Sequence, residues 1–394
     1  MFRLRFLTAG ESHGPELTAI LEGMPAGLPL SEQDLATDLE RRQQGFGRGG
    51  RMKIEQDRAR MTSGVMNGQT TGGPIALRIE NKDGANWADK EIDPMVVPRP
   101  GHADLTGAIK YGYRDLRLSL ERASARETTA RVAVGAITKK LLSEFDIQIG
   151  GYVTAIGDVP AQLPERSYPQ LFALAEDSEV RCPDAEGSEK MVSAIREAIK
   201  KRDTLGGIIE VVALGVPPGL GSYVHWDRKL EARLAWVLMS IHAMKGVEIG
   251  TGFQNASRYG TEVHDEMFVE NGHIVRHTNR AGGFEGGITT GQPIVARLAM
   301  KPISTTLNPL RSVDLHSGSP AETRYERSDI CAVPRAVVVA EAGMAWVLAE
   351  ALLEKLGGDS LAEMRPRFKA LRQNRLEDLS MDNTPWHFGY DSES

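Results

Sequence analysis

Residues 121–135 read ERASARETTARVAVG. Ser124 has the chemistry of an N-cap, and Glu127 stands three residues later, at capping-box spacing. Beyond it Ala130, Ala133, Val134, Ile137 and Leu141 recur at helical spacing, so the stretch predicts an extended lead-in followed by a helix with an apolar stripe. Arg122, Arg126 and Arg131 crowd its first two turns, where the macrodipole favours anions over cations. Two readings follow. An anionic ligand could meet free backbone N–H groups and guanidinium forks together. Alternatively the arginines are solvated, or pair with Glu121 and Glu127.

Working outward, the same combination of arginine, glycine and hydroxyl recurs. Phe2–Ala9 predicts a buried strand that ends in GESHG at 10–14, where two glycines give His13 close backbone access to a ligand. Ser31 and Asp34 open a helix with Leu35 and Leu39 on one face. That helix leads into RRQQGFGRGGRM at 41–52. Residues 41–60 hold seven basic and two acidic side chains, and a Gly-rich loop studded with arginine suits a phosphate. An RGG-like RNA-binding segment is the competing reading of this loop. RPGHAD at 99–104 is a rigid turn presenting Arg99 and His102 together, with Asp104 placed either to orient the imidazole or to cap the next helix. Lys301–Thr305, KPIST, again offers a cation and hydroxyls to an anion.

The 394 residues are 41% hydrophobic and carry a net charge of −6, which argues against a general nucleic-acid binder. Length alone suggests two or three domains. Cys182 and Cys331 make neither a disulfide framework nor a metal site. No segment reads as a signal peptide, and the apolar run after Ala336 is interrupted by Glu341 and Glu350, so it predicts a buried helix, no membrane span and a cytoplasmic protein. Ile147–Ile156 and Ile208–Val216 predict strands. Pro160–Glu186 predicts a surface excursion and Ser188–Lys201 a helix. A helix striped by Leu230, Leu234, Leu238 and Ile241 is expected to end with Gly246 as its C′ residue. Residues 63–82 and 282–301 match at nine of twenty positions at an offset of 219. The shared run Thr-Thr-Gly-x-Pro-Ile-x-x-Arg favours an internal duplication over convergent turn chemistry.

GESHG, QGFGRGGRM (44–52), RPGHAD, SARET (124–128), DTLGG (203–207), KGVEIG (245–250), KPIST and RSDIC (327–331) together resemble the chorismate synthase family, in its order, from Phe2 to about Leu356. The long insert after Ile156 is similar to the larger bacterial form. The resemblance implies an α+β fold: a single large domain, residues 1–375, with helices sandwiched between antiparallel sheets (a β-α-β sandwich), and a polar C-terminal tail over 376–394. It implies a homotetramer and 1,4-elimination of phosphate from 5-enolpyruvylshikimate 3-phosphate, with reduced FMN and no net oxidation.

Carried over by motif, His13 would protonate the departing phosphate, His102 the reduced flavin, and Asp329 would serve in proton removal. Arg48, Arg51, Arg99, Arg126 and Arg327 would contact substrate. Arg122, Ala123, Ser124, His242, Ala243, Gly286, Lys301, Pro302, Ile303, Ser304, Thr305 and Arg327 would hold the flavin. Arg42 and Arg48 match positions given to a nicotinamide cofactor, so NADPH enters as an indirect electron source, with a separate flavin reductase as partner. His242 departs from the amide or small residue usual there. No metal, nucleic acid or membrane is implied. Two rival classes stand beside this one: a flavin reductase with a basic nucleotide site, and a non-catalytic anion- or RNA-binding module.

Overall fold

The computed structural model describes residues 4–48, 57–87, 90–326, 328–386 and 389. The helix opened by the central stretch, Thr128–Ser143, is buried on most sides rather than along one stripe. It lies between two sheets. One is four-stranded and antiparallel, in the order Arg5–Ala9, Glu16–Glu22, Ile75–Glu80, Ala59–Ser63. The other is five-stranded and antiparallel, in the order Met244–Ile249, Ile294–Met300, Gly207–Leu214, Gln148–Ile156, Val159–Pro160. The helices Glu32–Gln43, Thr128–Ser143, Leu230–Met239 and Val333–Leu356 fill the layer between them. This is the expected sandwich. Val333–Leu356 is apolar and long enough to cross a bilayer, but 94% of its most apolar window is buried. It is the core helix the interrupted run predicts, and Glu341 within it is held by Arg41 and Lys139.

The two sheets repeat one plan, which bears out the duplication. In each, a strand leads through a glycine turn and a helix to an edge strand, and a later strand inserts between the two: Ile75–Glu80 after one small hairpin, Ile294–Met300 after two short helices and two hairpins. The turn chemistry repeats with it. Thr70 Oγ1 donates to Pro25 O and accepts from Leu28 N–H, at 2.6 and 3.0 Å. Thr289 Oγ1 donates to Pro217 O and accepts from Leu220 N–H, at 2.7 and 2.9 Å. Gly27 and Gly219, facing these threonines, share a left-handed conformation with φ of 84° and 90°. Side chains are strained there, so both halves retain glycine.

Five local expectations need correction. The lead-in to the central stretch is a helix, Arg117–Ala123, and Ser124 breaks it with an extended ψ of 140° before one 3-10 turn, Ala125–Glu127. Ser124 accepts from Arg126 N–H as a cap, but Glu127 leaves the cap to bind Thr8 and Arg131, so no capping box forms. Arg5–Ala9 is an edge strand, with Leu7 71% exposed, because none of the described residues covers its outer face. The polar stretch after Pro160 contains a helix, Tyr168–Glu176, whose Leu171 and Phe172 pack on the five-stranded sheet. The Leu230 helix stops at Met239, and Ala243 takes the left-handed turn (φ 65°) that lets Met244–Ile249 run as a strand through Gly246. Residues 374–376 bond to the His273–Arg276 hairpin at the start of the expected tail.

Candidate active site

The GESHG turn joins the first two strands, and the end of the Arg117–Ala123 helix closes over it. Glu121 accepts from the backbone N–H of His13 at 2.7 Å and pairs with its Nδ1 at 2.7 Å. Burial alone would raise the Glu121 carboxyl, but its bonds to His13 hold it below its ordinary value. Trp87 covers the imidazole, ring centres 4.4 Å apart. Arg122 donates to Thr8 O and Gly10 O, and Ser124 to Ser12, so both expected flavin residues brace the His13 turn.

A second imidazole–carboxylate pair stands on the RPGHAD turn. His102 Nδ1 lies 2.5 Å from Asp104 Oδ1. Arg99 donates to Asp104 through its backbone N–H, Nε and Nη2, and to Thr305 Oγ1 through Nη1 at 3.0 Å. Asp104 is fully buried, which would raise its carboxyl, yet these bonds from His102 and Arg99 hold it far below the usual range. It therefore orients His102, and the turn docks on the KPIST loop. A Cβ added at Gly101, φ 76°, would stand 3.5 Å from Ser304 Cβ and 3.8 Å from Lys301 Nζ. Lys301 N–H in turn bonds Ala243 O at 3.0 Å. Arg99, His102, Ala243 and Lys301–Thr305 are thus one assembly.

A buried basic group is tied to the His13 turn through Asn81. Arg42 bonds Thr128 Oγ1, Ala125 O and Asp57, and Arg126 bonds Asp57 and Asn81. Burial, with Arg335 and Arg126 adding to it, pushes Arg42 down to about 10 against the pull of Asp57. Arg335 pairs with Asp329, and its Nε and Nη2 are buried without hydrogen-bond partners among the described residues. Burial also lowers His242, aided by Arg131, Arg42 and His102 against Glu127, and its Nδ1 is buried without a hydrogen-bond partner among the described residues.

The profile of one family, described as chorismate synthase, matches residues 4–353. The chain belongs to the chorismate synthase family. A chorismate synthase of Aquifex aeolicus is 56% identical over 384 residues, covering 93% of this chain and 96% of the relative. One of Syntrophotalea carbinolica is 54% identical over 379 residues, covering 94% and 98%. A crystal structure of chorismate synthase superposes with a TM-score of 0.76 at 49% identity, covering 93% of this chain and 96% of that one.

Chorismate synthases use reduced flavin, and the residues present fit such a group. Lys301 donates to Pro302 O and has no carboxylate partner among the described residues, and burial, then Lys245, lowers it, a setting that suits a phosphate. His242 Nδ1, beside Ala243, is a buried polar atom without a partner among the described residues. Other expected contacts sit differently. Gly286 lies in the turn beside Tyr223, past the far end of the Ile294–Met300 strand from Lys301, so this chain does not bring it to the others. Arg48 is exposed and donates to Gln43 O. Arg51 and Arg327 lie outside the described residues. Sequence reasoning missed Glu121 as the partner of His13, and with it Trp87, Asn81, Asp57 and Arg335. All but Arg335, six residues from Asp329, are far in sequence from what they hold, and no local pattern marks them.

Proposed function

We propose that the chain converts 5-enolpyruvylshikimate 3-phosphate to chorismate by anti-1,4-elimination of phosphate and a ring hydrogen, with FMN as its flavin. The observation that carries this reading is the pairing of His13 with Glu121 and of His102 with Asp104 on two turns, with a buried basic group tied to the first. Glu121 occupies Nδ1 of His13, which leaves Nε2 to carry the proton delivered to the departing phosphate. Asp104 holds His102 in place, and Arg99 ties that pair to the Lys301–Thr305 loop. Lys301, Arg99 and Arg335 attract the phosphate and carboxylates of substrate and cofactor. Bound reduced flavin supplies an electron-rich ring that eases phosphate departure without net oxidation. Asp329, held by Arg335, is the group assigned to proton removal. A positioned acid or base of this kind is worth roughly 10²–10⁴-fold in rate. The protein works in the cytoplasm as a homotetramer, and takes reduced flavin from a separate reductase for which NADPH is the electron source.

The test is an anaerobic assay with photoreduced FMN and 5-enolpyruvylshikimate 3-phosphate. Chorismate formation with no net flavin oxidation is expected. NADPH consumption without the phosphorylated substrate, and no chorismate, would replace this reading with a flavin reductase.

A further inference from the structure

Asp57 belongs to none of the groups given a chemical role above, yet its side chain is fully buried between two arginines. Its Oδ1 lies 2.5 Å from Arg126 Nη1 and its Oδ2 3.4 Å from Arg42 Nη1. Each arginine leads to a different part of the site. Arg126 Nε donates to Asn81 Oδ1 at 2.8 Å, and Asn81 Nδ2 donates to Glu11 O and Gly14 O at 3.1 and 2.8 Å, on both sides of His13. Arg42 Nη2 donates to Ala125 O, in the turn opened by Ser124, and its charge is felt at His242. Asp57 therefore touches no candidate reacting group but is joined to the His13 turn through one relay and to the Ser124 turn through the other.

The electrostatics favour a working role over a packing one. Among the described residues, Arg42, Arg126 and Arg335 neighbour one another with the carboxylates of Asp57 and Asp329 between them. Buried guanidiniums without a counter-charge are costly. With Asp57 present the arginine pair is held still. Without it, the fixed acceptor that sets Arg126 beside Arg42 is lost, and the register of the Arg126–Asn81 bond with it.

We propose that Asp57 is a positioning residue of this active site: it clamps Arg42 and Arg126 side by side and, through Arg126 and Asn81, holds the His13 turn in register. The proposal rests on the reaction assigned above.

The test compares wild type, Asp57→Asn and Asp57→Glu in the anaerobic assay and in thermal melts with and without inorganic phosphate. Asp57→Asn is expected to lower kcat per folded molecule by on the order of 10²-fold, the scale of a small misplacement acting from a distance. Inorganic phosphate should raise its Tm more than that of wild type, and Asp57→Glu should restore much of kcat. Wild-type kcat in Asp57→Asn, with the same phosphate response as wild type, would overturn the proposal. If Asp57→Asn does not fold, Asn81→Ala decides. A fall in kcat per folded molecule supports the relay, and wild-type kcat refutes it. If wild type itself makes no chorismate, the reaction assignment fails. The phosphate-dependent melts then still decide whether Asp57 neutralises an anion-seeking pair.

Discussion

Glu121 grips His13 twice: Oε2 accepts the backbone N–H and Oε1 meets Nδ1, each at 2.7 Å, across 108 residues of sequence. The imidazole is fixed in both position and direction, which a single contact does not achieve. Glu121→Gln keeps the shape but loses the charge. Its kcat is expected to fall on the order of 10²-fold in the anaerobic assay. Because the Glu121 carboxyl is depressed in the fold, its contribution to stability is present above its ordinary value of 4.5 and is lost as pH falls through the lower folded value. The stability gap between wild type and Glu121→Gln, read from urea midpoints, should therefore close in acid.

His102 is partly exposed, and Asp104 keeps Arg99 as a partner when the imidazole is removed. His102→Ala is therefore expected to fold and bind FMN, but to turn over about 10²–10⁴-fold more slowly. His13→Ala should match it in scale. The double variant should fall short of the product of the two, because groups serving one elimination act as a unit. Near wild-type turnover by His102→Ala with reduced flavin supplied would remove it from the mechanism.

Asp104 behaves differently from the histidine it orients. Asp104→Asn leaves the buried Arg99 guanidinium without its carboxylate, and a broken buried pair costs roughly 3–5 kcal/mol. A large drop in thermal stability is expected where His102→Ala shows little. Equal melting temperatures for the two variants would contradict the role given to Asp104.

Lys301 is lowered by burial first and by Lys245 second. In the window between its lowered value and its ordinary 10.5, the unfolded chain holds more protons than the fold, so stability without ligand rises with pH there. Flavin phosphate needs the charged form, so FMN affinity should fall across the same window. Fluorescence titration of FMN at several pH values would show this, and Lys301→Met should weaken binding and flatten the profile.

Gly135 faces Ala342 where the Thr128–Ser143 and Val333–Leu356 helices cross. A Cβ at Gly135 would stand 2.2 Å from Ala342 Cβ and 2.6 Å from its Cα, so the helices must separate. Gly135→Ala should destabilise the protein by about 1–3 kcal/mol, the usual cost of overpacking. The denaturant midpoint measures it, and an unchanged midpoint would mean the crossing is loose.

Local chemistry made much of this protein legible from sequence alone. Ser31 and Asp34 cap a helix because that bond is made within four residues. The apolar run after Ala336 had to be buried, and the prolines around Arg99 had to make a turn. The repeat was readable because Thr70 and Thr289 answer to the same turn geometry. Basic loops spaced along an acidic chain announced an anion site before any fold was known. Tertiary structure alone decided which charge meets which. Glu121 turned to His13 rather than to its neighbouring arginines, because the first strand brings the GESHG turn beneath the end of its helix. Arg126, an expected substrate contact, bonds Asp57 and Asn81, since a buried guanidinium takes fixed acceptors that the fold brings to it. Glu127 and Arg131 pair at helical spacing, but ion pairs between distant segments carry no sequence period. Their partners are set by how sheets and helices stack, and for that reason the relays behind the histidines could be found only in the folded chain.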